Sequence, residues 1–342
     1  MITVFSAAHA LRNARTELYG GELVAPFECP ARAQIVLDRV RAIGLGEVIE
    51  PARHGLGPIT RVHDEQFVAF LASAWTQWVA AGNQGEAIPD CWPARRMMQR
   101  RPSSITGQLG YYAMAAETSI SAGSWEAALA SAEVALTAAS HITGGAHAAF
   151  ALCRPPGHHA ARDLYGGYCF LNNAAVAAQY LRDHGAGRVA ILDVDFHHGN
   201  GTQDIFYNRA DVLYLSIHGT PADAFPYFSG YSDETGSGEG EGYNVNLPLP
   251  RGTEFAAWQA ALNIALGRIR SFGPDALVVS LGVDTFAEDP ISFFRLQSAD
   301  FSTYGRMIGA CKLPTLFVFE GGYAVKEVGV NAVNVLTGFE GS

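Results

Sequence analysis

The fold prediction begins from one stretch of the chain, residues 189–201, which reads Val189-Ala190-Ile191-Leu192-Asp193-Val194-Asp195-Phe196-His197-His198-Gly199-Asn200-Gly201. Its first residues form a short apolar run, which is typical of a buried strand, and polar residues begin where that strand would end. Open parallel sheets bind their ligands at the carboxyl ends of the strands. Because side chains alternate along an extended backbone, we expect Asp193, Asp195 and His197 to point the same way.

Converging carboxylates and an imidazole are costly to bury unless a cation lies between them. Oxygen and nitrogen ligands suit a divalent metal, zinc first, with iron(II) or cobalt as alternatives. A second buried-strand pattern, residues 276–284, ends in Asp284, which would complete the ligand set. Two carboxylates, a neutral imidazole and a divalent ion sum to zero charge and leave coordination open for water and substrate, as in a hydrolase. On its own, the Asp-x-Asp pair is equally consistent with a helix cap or a structural ion site.

Composition limits the class of protein. The chain has 342 residues, of which 49% are hydrophobic and 16% charged, and this favours a compact globule with an extensive core. A net charge of -10 disfavours nucleic-acid binding and suits a cationic substrate. Five cysteines without a Cys-x-x-Cys pair indicate reduced thiols. Because the sequence has no membrane-length apolar run and no basic segment before its first apolar residues, we expect a cytoplasmic protein that spans no membrane.

Strand and helix patterns alternate along most of the chain. Strand patterns lie at 148–152, from Val189, at 212–217, at 243–249, up to Gly282 and at 315–319. Helix patterns lie at 30–43, after Asp64 as a cap, from Gly107, at 125–142 with Ser124 as a cap, from Asn173, after Thr202, after Thr253 as a cap and after Ser298. Such alternation predicts a parallel sheet with helices on both faces. Because there is no internal repeat or linker, we expect one α/β domain over residues 1–342.

Two segments lack any apolar period and interrupt this pattern. Residues 12–22 form a polar stretch with adjacent glycines, and we expect a long loop there. Residues 83–105 combine prolines and methionines with four arginines from Arg95 to Arg101, and we expect a surface insertion. Its arginines suit a polyanion or, as the simpler alternative, salt bridges at a subunit contact.

Two further strand ends carry polar residues toward the same edge of the sheet. Arg154-Pro155-Pro156-Gly157-His158-His159 follows one strand, and its prolines hold the backbone extended and exclude a helix. Glu320-Gly321-Gly322-Tyr323 follows another, and its glycines permit a sharp turn that would swing a phenol over the metal site. The sequence thus predicts that adjacent histidines and a tyrosine lie beside the metal.

These motifs together resemble the histone deacetylase superfamily, and most closely its acetylpolyamine amidohydrolase branch. The resemblance spans nearly the whole chain and is carried by residues 154–159, 166–173, 193–201, 282–284 and 320–323. It implies the arginase–deacetylase fold, a parallel sheet flanked by helices. Residues 16–22 and the insertion near Arg95 look like segments that support a homodimer in the polyamine branch.

The resemblance implies one catalytic zinc ion and structural potassium. Zinc would be held by Asp195, His197 and Asp284, and Asp193 would orient the groups around them. The implied potassium ligands are Asp193, Asp195, His197, Ser216 and Ile217. A second potassium site would lie near Phe206, Arg209, Val212 and Tyr243, where it depends on backbone atoms.

The two histidines receive different roles. Asp193 can accept a hydrogen bond from His158 and favour its charged form, which suits electrostatic stabilisation. We therefore expect His159 to be the base. Asn200 stands where the histone-specific branch has an aspartate, and a neutral amide should make His159 easier to keep neutral. In the implied mechanism zinc and His159 activate water, zinc and Tyr323 polarise the acetyl carbonyl, and His159 protonates the departing amine.

Further residues match the substrate tunnel of the family. Its walls would be Gly166, Gly167, Tyr168, Phe225 and Ile291, although ordinary packing is an alternative for the last two. Glu17 and Glu117 match acidic positions that attract the distal ammonium groups of polyamines. The sequence departs from the branch at Thr106, where some members have another glutamate, and this bears on the preference for highly charged polyamines.

The predicted function is zinc-dependent removal of acetyl groups from acetylated polyamines or small cationic acetylated amines, with release of acetate and free amine. A protein deacetylase acting on acetyl-lysine is the alternative within the same superfamily. An Asp-x-Asp phosphatase leaves His158, His159 and Tyr323 without roles. A two-metal ureohydrolase needs further acids and histidines, and a non-catalytic acetyl-ligand binder would not need the intact histidine pair.

Overall fold

The computed structural model describes residues 1–96 and 98–342, in which an eight-stranded parallel sheet carries helices on both faces. The strands are β1 (Ile2–Val4), β2 (Glu17–Tyr19), β3 (Glu22–Val24), β4 (Val48–Ile49), β5 (Ala148–Ala151), β6 (Val189–Asp193), β7 (Val212–Gly219), β8 (Asn244–Leu249), β9 (Ala276–Leu281) and β10 (Thr315–Phe319). The helices are α1 (Pro30–Ile43), α2 (Gly57–Thr60), α3 (Glu65–Ala80), α4 (Ile105–Tyr112), α5 (Ser124–Thr143), α6 (Asn173–Asp183), α7 (Asn200–Phe206), α8 (Phe255–Phe272), α9 (Ser298–Gly309) and α10 (Val328–Glu340).

The sheet order is β4-β1-β5-β10-β9-β6-β7-β8, and every neighbouring pair is parallel. Alternate residues of β6 enter two separate cores. Val189 and Ile191 belong to the core that includes residues of α3, α5 and α6, whereas Ala190 and Leu192 belong to the core that includes residues of α1, α8 and α9. A strand that is buried on both faces requires an unbroken apolar run, as the sequence has here. The predicted α/β sheet with helices on both faces is confirmed.

The observed helix ends show which of the predicted helix starts and caps were correct. Pro30 opens α1, and Asp64 caps α3 by accepting hydrogen bonds from the amides of Gln66 and Phe67. The predicted cap at Ser124 is wrong, because this residue lies inside the first turn of α5. The Thr253 cap is also wrong, since its hydroxyl donates to the Pro250 carbonyl and α8 begins only at Phe255.

Three other sequence predictions need correction. The 12–22 segment is not a simple loop but contains strand β2, which pairs with β3 across Gly20 and Gly21; both glycines have positive φ, as a tight hairpin requires. The helix predicted from Gly107 onward stops at Tyr112, and residues 113–123 are irregular except for single bridges. The short helix α7 starts at Asn200 rather than after Thr202. Short exposed strands and loops have no apolar period, so the sequence pattern missed them.

The 83–105 insertion is irregular up to the start of α4 in its described part, apart from one bridge between Ala87 and Ile120. Met97 lies outside the described residues. Most side chains from Asp90 to Arg101 are exposed, as predicted for a surface insertion. Among the described helices, none combines the length and the apolar character that crossing a membrane requires.

The fold brings four adjacent strand ends to one place. β5, β10, β9 and β6 are consecutive in the sheet, and each is followed by one of the polar motifs. Parallel strands present their carboxyl ends at the same edge, so these motifs meet above the centre of the sheet.

Candidate active site

Asp195, His197 and Asp284 form the floor of the site. Their potential ligand atoms lie within 4.8 Å of one another, and all three residues are buried. His197 Nδ1 lies 3.2 Å from Asp195 Oδ1 and 3.1 Å from Asp284 Oδ2. The predicted convergence of these side chains is therefore present in the structure.

Backbone amides orient both carboxylates. The Phe196 amide donates to Asp284 Oδ1 at 2.7 Å, and the Gly321 amide donates to Asp195 Oδ2 at 2.8 Å. Gly282 is required beside them, because a Cβ atom there would lie 2.0 Å from Asp195 Oδ2. Contacts of this kind fix ligand geometry before any ion binds.

The donor set fits a divalent cation. Neither Asp195 nor Asp284 is paired with an arginine or lysine among the described residues, so their charges face only histidines. Burial alone would lower the pKa of His197, but the two carboxylates outweigh it and raise the pKa to about 10. Two carboxylates and one imidazole, of which His197 also lines a cavity, match a catalytic zinc site, which keeps a coordination position open.

His158 is held in an ionic network behind the floor. Its Nδ1 lies 3.0 Å from Asp193 Oδ2, which also accepts a hydrogen bond from the Tyr214 hydroxyl at 3.1 Å. Burial alone would lower the pKa of His158, but Asp195 and Asp193 outweigh it and raise the pKa to about 10. This environment favours a charged imidazolium over a free base.

His159 has the opposite environment. Its Nδ1 lies 2.7 Å from Asn200 Oδ1, and since an amide oxygen only accepts, Nδ1 carries the proton and Nε2 keeps its lone pair. Burial, followed by the charges of His158 and His197, lowers the pKa of His159 well below its ordinary value. Gly167 closes over this ring with φ +58°, where a Cβ atom would lie 2.3 Å from His159 Cδ2.

Tyr323 reaches the site from the turn after β10. Its amide donates to Asp289 Oδ2 at 2.7 Å, and its ring lies 4.6 Å below the Arg32 guanidinium. Arg32 also donates to the carbonyls of Glu320 and Gly322, both at 2.6 Å, so one side chain holds the whole turn. Burial raises the pKa of Tyr323 well above its ordinary value, which keeps the hydroxyl available as a donor.

A buried ionic cluster beneath the turn was missed by sequence reasoning. Glu28 accepts a bidentate pair of bonds from Arg154 at 2.7 and 3.0 Å and a third bond from Arg32 at 3.0 Å. Glu320 Oε2 accepts from the amides of Gly157 and His158 at 2.6 and 3.2 Å. These groups join α1, the histidine turn and the tyrosine turn into one rigid support.

A cavity of about 490 Å³ opens above the floor. Six residues predicted for substrate contact line it together, namely Glu17, Glu117, Gly167, Tyr168, Phe225 and Ile291. His159, His197 and Tyr323 also line it, so the predicted base and phenol share the cavity with a predicted metal ligand. Sequence reasoning missed Asp223, Arg251 and Phe293 in the wall, since no motif contains them.

Two acids of the cavity wall, Glu17 and Glu117, which we call the mouth acids, are held by different contacts. Glu17 is buried, and it accepts hydrogen bonds from the Tyr168 hydroxyl at 3.0 Å and the Phe27 amide at 3.2 Å. Burial raises the pKa of Glu17 to about 7. One oxygen of Glu117 accepts from the Gly167 amide at 2.6 Å and the Thr118 hydroxyl at 2.9 Å.

Comparison with known proteins identifies the class. The sequence profile of the "Histone deacetylase domain" family matches residues 26–339. The chain is 58% identical to acetylpolyamine amidohydrolase 2 of Pseudomonas aeruginosa over 100% of this chain and 99% of that protein. It is also 58% identical to the acetylpolyamine amidohydrolase of Mycoplana ramosa, with 100% of both chains covered. The crystal structure of the acetylpolyamine aminohydrolase from Burkholderia pseudomallei superimposes with a TM-score of 0.94 at 42% identity, over 99% of this chain and 98% of that one.

The chain therefore belongs to the histone deacetylase family. The predictions of this family, of its acetylpolyamine branch and of a deacetylase enzyme are confirmed. The predicted arginase–deacetylase fold is confirmed as well.

Proposed function

We propose that this protein hydrolyses the acetyl amide of small cationic amines, acetylated polyamines above all. One observation carries the proposal: a single cavity is lined both by His159, Tyr323 and His197 and by two carboxylates, Glu17 and Glu117. The first group suits amide hydrolysis, and the second suits an ammonium group at the far end of the same substrate. The acetylpolyamine amidohydrolase relatives support this choice of substrate.

Each side chain of the floor has a distinct part in the reaction. His159 Nε2 takes a proton from water and returns it to the amine nitrogen as the amide bond breaks. The Tyr323 hydroxyl donates to the carbonyl oxygen as negative charge develops there, and the imidazolium of His158 adds positive charge nearby. Asn200 keeps the proton on His159 Nδ1, so that Nε2 faces the cavity.

Zinc is the metal that the donor set fits best. Asp195, His197 and Asp284 would hold it, and a bound ion would supply Lewis acidity to the carbonyl oxygen and make water easier to deprotonate. Structural potassium is a further proposal, with Asp193, Asp195, His197, Ser216 and Ile217 as its ligands. Its support is that Asp193 lies beside Ser216 in the register of β6 and β7, so these residues share one end of the sheet.

A substrate panel tests the proposal. Zinc-loaded enzyme should cleave acetylputrescine, acetylcadaverine or acetylspermidine with a higher kcat/KM than any acetyl-lysine peptide. Acetate release is the measurement. Faster cleavage of the peptides than of every acetylated polyamine would favour the protein-deacetylase alternative and reject this substrate class.

We also propose a homodimer formed through the 83–105 insertion. Trp92 and Met98 on this insertion are 44% and 81% exposed, and Phe228, which is 81% exposed, lies 5.8 Å from the Arg95 guanidinium. Large exposed apolar side chains in one region are typical of a subunit contact. Sedimentation should give a dimer for the wild type and a weaker dimer for Met98→Glu, whereas a monomeric wild type would reject this assembly.

Two broader expectations remain proposals. One continuous eight-stranded sheet, whose strands come from both ends and the middle of the chain, supports a single domain over residues 1–342. A cytoplasmic location stays a prediction from the sequence.

A further inference from the structure

Glu86 lies in the insertion but binds the two segments that carry the mouth acids. Its Oε1 accepts a hydrogen bond from the Arg15 amide at 2.8 Å, and its Oε2 accepts from the Thr16 amide at 3.4 Å. The same Oε2 accepts from the hydroxyl of Ser119 at 3.2 Å. Ser119 is buried, so it has no solvent partner to replace this bond.

These contacts stand immediately beside the residues of interest. Arg15 and Thr16 directly precede Glu17, and Ser119 is two positions after Glu117. One carboxylate therefore links the backbone of the Glu17 hairpin to the loop of Glu117. Hydrogen bonds to a charged acceptor are stronger than bonds between neutral groups, although solvent weakens them where it reaches them.

The adjacent backbone reinforces the link. Ala87 and Ile120 exchange two hydrogen bonds, from the Ala87 amide at 2.8 Å and from the Ile120 amide at 2.9 Å. Glu86 and Ser119 directly precede these two bridge partners, so the side-chain bond between them adds to the antiparallel backbone bridge. The β2–β3 hairpin is a separate two-stranded sheet, and such hairpins are only marginally stable alone. The hairpin thus depends on outside contacts for its position.

We propose that Glu86 is a positioning residue for substrate specificity: it sets the separation of Glu17 and Glu117 and thereby the fit of the distal ammonium group. This inference rests on the proposed function, because it concerns the charged end of that substrate. Glu86 itself is not among the residues that line the cavity. It acts through its neighbours, and the chemistry at the floor does not require it.

Glu86→Gln is the test variant. The amide oxygen can replace only one of the two carboxylate oxygens, and the amide nitrogen cannot accept. The variant therefore loses either the bond from Arg15 or the bonds from Thr16 and Ser119. We expect a three- to tenfold higher KM for acetylputrescine, with kcat within about twofold; a tenfold change corresponds to about 1.4 kcal/mol. The KM for a neutral acetylated alkylamine of the same length should not change, because that substrate has no distal ammonium group. Glu126→Gln removes the same charge from an exposed position on α5 and should alter neither substrate.

A double-mutant cycle separates positioning from direct attraction by the Glu86 charge. If Glu86 acts through its neighbours, Glu86→Gln should add little to a chain that already carries Glu17→Gln and Glu117→Gln. If its own charge attracts the substrate, the effects should multiply, and the positioning role is rejected. An unchanged KM in the single variant would reject it as well.

Amide hydrogen exchange gives a readout that does not depend on the substrate. Glu86→Gln should accelerate exchange at residues 15–18 and 117–121, while residues of β6 and β9 keep their protection. A wild-type enzyme that does not prefer charged substrates would count against the proposed function alone. Unchanged exchange in the variant would count against the positioning role alone.

Discussion

Side chains at the floor of the cavity follow strands of the central sheet, whereas those at its mouth lie on a hairpin and on irregular segments. At the floor, Asp195 and Asp284 are fully buried, and backbone amides hold both of them. At the mouth, Leu18, Tyr19 and Tyr227 are 42%, 49% and 50% exposed. The groups that we propose to react are thus held by the rigid sheet, whereas those that we propose to select the substrate lie on more adjustable segments.

The largest expected effect is at the floor, in Asp284→Ala. Removing one of three ligands should abolish tight zinc binding and lower kcat/KM by about a thousandfold or more, since Lewis-acid stabilisation is worth several kcal/mol. Metal analysis after dialysis and an acetate-release assay check this together. Asp90→Ala, at an exposed acid of the insertion, is the control. Full turnover by metal-free protein would contradict the assignment.

His159→Ala should retain zinc and still lose roughly 100- to 10,000-fold in kcat, because it removes proton transfer without removing a ligand. His158→Ala should be the milder change, since this imidazolium contributes charge and not a lone pair. Rate measurements on both zinc-loaded variants rank the two. A larger loss in His158→Ala would exchange their roles.

Tyr323→Phe tests whether the turn held by Arg32 contributes to the reaction. It should lower kcat by roughly 100- to 1,000-fold with little change in KM, because a single oxyanion donor acts mainly in the transition state. The ring and its cation–π contact remain, so thermal stability should stay close to that of the wild type. If kcat stayed within a factor of a few, the hydroxyl would not be a donor to the oxyanion.

The smallest expected effect is at the mouth, in Glu17→Gln. A carboxylate near a mobile ammonium contributes about 1 kcal/mol, so acetylputrescine turnover should fall several-fold, while a neutral acetyl substrate should hardly respond. Added salt should reduce the difference between the two substrates.

The preference of the enzyme for a cationic substrate over a neutral one should rise with pH. The pKa of Glu17 is raised to about 7, so its charged form increases as the pH rises from 6 to 8. Over that range the wild type should increasingly prefer the cationic substrate, and Glu17→Gln should show a smaller change. Ratios of kcat/KM at both pH values provide the measurement. A preference that falls as the pH rises would be the opposite of this expectation.

The same contrast explains what the sequence could predict. Asp195 lies two residues beyond β6 and Asp284 three residues beyond β9, so the geometry of parallel sheets was enough to bring them to one edge. The Glu28 cluster joins residues up to 290 positions apart and leaves no periodic signal. The contact of Glu86 with Arg15 likewise depends on how loops settle against each other. Family resemblance supplied the mouth acids, but not the contacts that hold them.

The bonds from Arg32 to the tyrosine turn also have a consequence for when the enzyme becomes active during synthesis. Arg32 is translated early, whereas its carbonyl partners at Glu320 and Gly322 follow almost a full chain length later. A contact between such distant residues forms only after the intervening sheet has closed. A nascent or nicked chain that lacks the last strand can still pair Arg32 with Glu28, but the two bonds from its guanidinium to the tyrosine turn stay unmade. Catalytic competence thus reports that both ends of the chain have folded together.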